Sequence, residues 1–225
     1  MPLLLHAISL ARLSDAQYKK LKELGLIFCT QGALNGLVTS CSHAAIEEMD
    51  HNHLLAYSQS IEAARKITDI IPVRYGNLFE NVQKLQQTLH HYQASCISQL
   101  KKISGCVEMS VRVPIHSFSV TQTVTPTSGY AYLKLKQQQQ TQWRKILEKI
   151  TASVSGCYAD MHSDFLPASA LLRVHFLVQH TQLATFKTGI APLDLPELFL
   201  SGPWAAYHFV HVQLSNASNQ AEIKL

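Results

Sequence analysis

The sequence predicts an α+β chain built as two two-layer α/β sandwiches joined by a long helix. Three observations predict it. Apolar or alternating runs of strand length recur in both halves of the chain. Segments of helical period separate them, and the most strongly periodic of these lies between the halves. Its length of 225 residues leaves room for two small domains or one large one, with enough core to need no staple.

Leu3–Leu10 is a compact apolar strand. Ser14 and Gln17 have capping-box spacing, and Tyr18, Leu21 and Leu24 then form a helical face that ends at Gly25. Residues 26–31 and 34–40 read as a hairpin turned at Gly32-Ala33. A helical stretch follows over 43–69, and 71–75 is a short strand whose Pro72 places it at an edge or a strand start. The order β-α-β-β-α-β is the split arrangement of ferredoxin-like folds.

Phe79, Val82, Leu85, Leu89, Tyr92, Cys96, Leu100 and Ile103 then recur every three or four residues until Gly105. One long helix over 79–104 is expected, bridging a domain at 1–78 to another at 106–214. In 107–113, valines and Met109 alternate with Glu108, Ser110 and Arg112, which predicts a strand with one polar face. Residues 117–128 are rich in Ser, Thr and Pro and read as an exposed loop. A helix over 130–155 carries Trp143, Ile146, Leu147, Ile150 and Val154 on its inner face. A strand at 171–178, a short helix at 181–190 and extended segments at 198–200 and 207–214 complete the half. Residues 215–225 form a polar tail.

Composition narrows the function classes. Apolar residues are 47% and charged residues 15%, which excludes disorder of the whole chain. Of the 19 basic and 15 acidic side chains, residues 1–105 hold 10 and 8, and residues 106–225 hold 9 and 7. That even split leaves no basic domain for nucleic acid. Lys134, Lys136, Arg144, Lys145 and Lys149 read as a solvated helix face. No apolar run is long enough to span a bilayer, and the start lacks the pattern of a secretory signal. Five cysteines without a C-x-x-C spacing read as reduced core thiols, which points to the cytoplasm.

No catalytic set emerges. His51 with His53, and His90 with His91, have spacings that do not converge on a helix, so no metal or cofactor is expected. Asp160-Met161-His162-Ser163-Asp164 has the residue types of a triad, but neighbours in sequence point apart; a polar helix end and turn is expected there. The segment from Gly32 to Gly36 is too sparse in glycine for a phosphate loop. Gly202-Pro203-Trp204 stands out as a sharp turn whose tryptophan is expected to drop into the core and anchor the last strand.

Gly202-Pro203-Trp204-Ala205-Ala206-Tyr207-His208-Phe209-Val210 resembles the G-P-W-P-P-Y-x-F-V signature of the gas vesicle protein GvpF/GvpL family. The run Ile71, Pro72, Val73, Arg74, Tyr75, Gly76 is similar to the family's L-P-L-R-F-G segment. Gly129, Tyr130, Ala131, Tyr132 and Leu133 resemble its G-x-x-Y-L helix start, and Phe176-Leu177-Val178 fits its late A-F-L-V strand. The chain departs from the pattern at Ala205-Ala206 in place of Pro-Pro, at Tyr75 in place of Phe, and at Arg173 where Asn is frequent. The motif residues singled out are Pro72, Arg74, Tyr75, Gly76, Gly129, Tyr132, Leu133, Gly202, Pro203, Trp204, Tyr207 and Phe209.

The resemblance implies a non-enzymatic role in building gas vesicles, as a minor component or assembly factor that binds the hydrophobic shell protein. It implies other gas vesicle accessory proteins as partners, a place at the vesicle or in the cytoplasm, and a ferredoxin-like C-terminal domain. The alternative is a ferredoxin-like small-molecule module or an α+β-barrel enzyme, with Glu108, Arg173 and His175 converging on a pocket.

Overall fold

The structure, a computed structural model, describes residues 2–41, 51–115, 128–166, 169–210 and 212. It divides into two compact units, one of Met1–Ser104 with Ala205–Leu225 and one of Gly105–Trp204.

The first unit opens with β1 (Leu3–Leu10), α1 (Asp15–Glu23), β2 (Ile27–Gln31) and β3 (Leu34–Ser40), followed by α2 (His51–Arg65), β4 (Ile71–Pro72) and β5 (Leu78–Phe79). The capping box is formed: Ser14 accepts from the Gln17 backbone N–H, and the Gln17 side chain accepts from the Ser14 N–H. All pairings are antiparallel, in the order β2-β3-β1-β4, with β5 also on β1. A register shift between Leu5 and Ala7 marks a bulge in β1.

Two further helices, α3 (Val82–His91) and α4 (Gln93–Ile103), belong to this unit. Asn81 caps α3 through the Lys84 N–H. The expected single helix over 79–104 is therefore corrected: 78–79 is strand, and Tyr92 (φ −95°, ψ 9°) breaks the rest in two. Both pieces fall in the first unit. Successive strand residues face opposite sides, and they meet different helices. Ala7 and Leu37 share a core with Leu21 of α1 and Tyr57, Ile61 and Ala64 of α2. Next to Leu37, a Cβ on Gly36 would lie 3.3–3.4 Å from Leu5, Leu85 and Leu89. Helices thus cover both faces, and the unit has three layers where two were expected.

The second unit consists of β6 (Cys106–Pro114), α5 (Gly129–Ser153), β7 (Asp160–Leu166), β8 (Leu171–Gln179), α6 (Leu183–Ile190) and β9 (Phe199–Trp204). Its sheet is antiparallel in the order β7-β8-β6-β9. Strand β7 replaces the helix end and turn expected at 160–164. Beyond β9, Tyr207 to Phe209 form a turn rather than the expected strand, and they fall in the first unit instead of extending the second to 214. Residues 43–50, the expected 117–128 loop up to residue 127, and the 215–225 tail lie outside the described residues.

One face of this sheet is apolar. Met109, Val111, Val113, Leu172, Val174, Phe176 and Val178 pack with Ile146 and Ile150 of α5, with Val154 just after it, and with Phe186 and Ile190 of α6. The two helices approach closely at Gly189, where a Cβ would lie 2.5 Å from the Ser153 carbonyl oxygen and 3.2 Å from Val154 Cγ1. Backbone cannot yield as a side-chain tip can. Gly189→Ala is expected to push α6 outward and destabilise the unit by about 1–3 kcal/mol, as overpacking typically does. A thermal melt that matches the wild type would remove this account of the glycine.

Candidate functional site

Two of the motif segments meet in the first unit, around a residue that the sequence did not single out. Tyr57, on the inner face of α2, is buried. Its hydroxyl lies 2.8 Å from the Leu5 carbonyl oxygen and 2.7 Å from that of Val73, and it shares its one proton between them. Tyr57 thus ties the central strand to the Pro72–Gly76 segment. The His6 ring stacks on Tyr57 at 4.5 Å, and Tyr75 meets it edge-on at 4.9 Å. Burial, reinforced by the nearby phenols of Tyr207 and Tyr75, pushes the Tyr57 phenol far above its ordinary range. The only hint in the sequence was an aromatic four residues before Ile61 on one helical face.

The surrounding motif residues have plain roles. Pro72 is buried at the edge strand, and Arg74 is exposed. Asn77 Nδ2 donates to the Arg74 carbonyl at 2.8 Å, and Gly76 turns the chain at φ +93° with room around it. Ala205, Ala206 and Phe209 are buried, while Tyr207 stays partly exposed. Ala205 joins the core of Ala7, Tyr57, Ile61 and Ala64. Its N–H donates to Glu62 Oε1 at 2.9 Å, and the other oxygen of Glu62 accepts from Arg65 Nε at 2.9 Å. A proline at 205 could not make that bond, so the Ala-Ala departure has a use here.

Gly202, Pro203 and Trp204 lie in the second unit. Ser201 pairs with Ser110 and Trp204 with Glu108, so β9 carries one extra residue there. Gly202-Pro203 forms this bulge, with a cis peptide between the two and φ +113° at the glycine. A Cβ on Gly202 would lie 2.7 Å from the Glu108 carbonyl oxygen, which requires glycine. Trp204 is not the expected buried anchor. It is 44% exposed, and its Nε1–H donates to Ser201 Oγ at 3.3 Å. The third motif segment opens α5: Gly129 is exposed, Leu133 is 67% exposed, and the Tyr132 side chain lies outside the described residues.

The opposite, polar face of this sheet holds the residues of the alternative reading. His175 Nδ1 lies 3.0 Å from Glu108 Oε1 and 2.9 Å from Ser110 Oγ, all three residues buried. Arg173 binds both oxygens of Asp164 through Nε, at 3.3 and 3.0 Å, and through its terminal nitrogen. Glu108 and Ser110 both meet the same nitrogen of His175. A catalytic relay instead needs the base between its two partners. Asp160, His162 and Asp164 alternate along β7 with Met161 and Phe165, which pack against the core. Their pairing registers put them on the polar face and Ser163 on the other.

Two measurements test these assignments. His6 donates or accepts through Nε2 with Thr39 Oγ1 at 2.9 Å, while Nδ1 is buried without a hydrogen-bond partner among the described residues. Burial lowers its pKa from 6.5 to about 4. A depressed histidine pKa means that the unfolded chain takes up the proton first. Stability is full above about pH 6.5 and falls as pH drops toward 4, by on the order of 3 kcal/mol. His6→Gln should remove that part of the acid arm, and parallel melts from pH 7 to 4 will show it. Within the last motif, Phe209→Ala should cost the ~3–5 kcal/mol of a buried aromatic. Trp204→Ala should cost clearly less, and the reverse order would restore Trp204 as the anchor.

Comparison with known proteins agrees with the motif. Residues 25–211 match the family model described as gas vesicle synthesis protein GvpL/GvpF. Gas vesicle protein F2 of Halobacterium salinarum is 23% identical over 176 residues, covering 76% of this chain and 70% of that protein. The fold is similar to that of the crystal structure of GvpF from Anabaena sp. PCC7120, with a TM-score of 0.76 at 14% identity, covering 94% of this chain and 97% of that one. It is also similar to GvpF from Microcystis aeruginosa, with a TM-score of 0.71 at 12% identity over 94% and 99%. With most of its length matched by the family model, the chain belongs to the GvpL/GvpF family of gas vesicle synthesis proteins.

Proposed function

We propose that this chain is a non-enzymatic gas vesicle assembly factor or minor vesicle component that holds the small hydrophobic shell protein during vesicle formation. The observation that carries the reading is the family match across residues 25–211. Its place is at the growing vesicle and in the surrounding cytoplasm, together with other vesicle accessory proteins. Both units are read as ferredoxin-like, which the shared strand order supports: in each, the second, third, first and fourth strands lie side by side.

The physics of the task fits this architecture. An apolar, strand-forming subunit must be covered before it assembles, because its unpaired edge and apolar face invite uncontrolled stacking. Open sheet edges offer one cover, by adding a strand. Among the described residues, strands β2 and β7 each have one strand neighbour in their sheets. The chemistry asked of the protein is binding and release.

Co-expression with the shell protein tests the reading. A tagged copy of this chain should retain the shell protein through purification. Deleting its gene in a vesicle-forming host should abolish vesicles, and the wild-type gene should restore them. Normal vesicles in the deletion strain, together with no retained shell protein, would overturn it.

A further inference from the structure

The polar face of the second unit carries a row of four side chains in register. Asp164 of β7 is opposite Arg173 of β8, Arg173 is opposite Arg112 of β6, and Arg112 is opposite Phe199 of β9. Two cations thus stand directly across from each other, an arrangement that is unfavourable in a sheet unless anions compensate it. Asp164 compensates one of them, taking Arg173 in a forked pair. Arg112 is exposed and has no hydrogen-bond or ion-pair partner among the described residues. Beside it Phe199 is 57% exposed, a large apolar surface left in water.

We infer that Arg112 and Phe199 form a docking site for a carboxylate with an apolar side chain next to it, presented by a partner polypeptide. The charge count names the occupant. The row holds two guanidinium groups and one carboxylate, and a carboxylate from outside would repeat on Arg112 what Asp164 does on Arg173. The planar fork of Arg112 matches a carboxylate in two-point contact. Phe199 supplies the desolvated contact that makes such a pair hold in water, and arginine with an aromatic neighbour is the composition typical of interface centres. The helices of this unit pack on the other face of the sheet. That the partner is the shell protein rests on the assembly reading above; the chemistry of the site does not.

Capture of the shell protein by wild type, Arg112→Gln, Arg112→Lys and Phe199→Ser, each with its melting curve, tests the site. Arg112→Gln should weaken capture about tenfold, the loss of one charge-assisted contact. Its melting temperature should stay level or rise, because a like-charge pair is relieved. Arg112→Lys should recover part of the affinity, and Phe199→Ser should lose as much as Arg112→Gln. Undiminished capture by Arg112→Gln overturns the site and leaves the assembly reading standing. If wild type captures no shell protein, the assembly reading fails, and the Arg112 Nε–H resonance decides the site. Titration with N-acetyl-Asp-Phe-amide should shift that resonance, and the Asn-Phe counterpart should not. Equal shifts with both, or the same shift with inorganic phosphate, or none at all, would overturn it.

Discussion

Strand β1 is apolar on both faces and strand β6 on one, and that difference decides how many layers each unit has. In β1, Leu3, Leu5 and Ile8 are buried, as is Ala7, which belongs to a separate core shared with α2. Both faces must therefore be covered, and the chain supplies α3 and α4 at once after β5. In β6 the apolar set, Val107, Met109, Val111 and Val113, alternates with Glu108, Ser110 and Arg112. One helical layer is enough there. The same strand order thus gives three layers in one unit and two in the other, because a helix follows only where apolar surface would otherwise face water.

Tyr57 shows how one buried phenol can organise a neighbourhood. Its hydroxyl gives two carbonyls a donor that the short, two-residue β4 cannot. Its ring brings together His6, Tyr75 and the chain that returns at Ala205. The same packing explains why His6 stays neutral: a protonated ring would bury an N–H at Nδ1 with no acceptor beside it among the described residues. The motif residues Pro72 and Tyr75 are held against this cluster, Pro72 by pairing with Ala7 and Tyr75 by its edge-on contact with Tyr57.

Much of this was legible from residue pattern. The capping box, the hairpin at Gly32-Ala33, and strands β1, β6 and β8 follow from local chemistry and alternation, which tertiary context does not override. The break at Tyr92 was not legible, because Leu85, Leu89, Cys96 and Leu100 stay on one buried stripe across it and no Gly or Pro marks it. Strand β7 is hidden in the sequence for another reason. With only Met161, Phe165 and Leu166 apolar, its pattern is weak, and β8 supplies its identity through full-length pairing. Trp204 reads as a buried anchor because a sharp Gly-Pro turn precedes it. A large aromatic reads as core, yet its register opposite Glu108 puts it on the polar face of the sheet.

The Gly-Pro-Trp corner then divides its labour differently from what its most conspicuous residue implies. Gly202 is required by the close approach of the Glu108 carbonyl, and Pro203 fits a bulge where no ladder donor is needed. The anchoring falls to the small residues that follow. Ala205 and Ala206 are short enough to be buried, and Ala205 keeps an N–H that reaches Glu62. With proline at that position, Glu62 would retain Arg65 as a partner but lose its hold on the returning chain. A rigid turn and a hydrogen-bonded one are alternative solutions to the same problem, fixing the path of the backbone after β9. This chain uses the second, and its carboxylate at Glu62 is what makes the alanines sufficient.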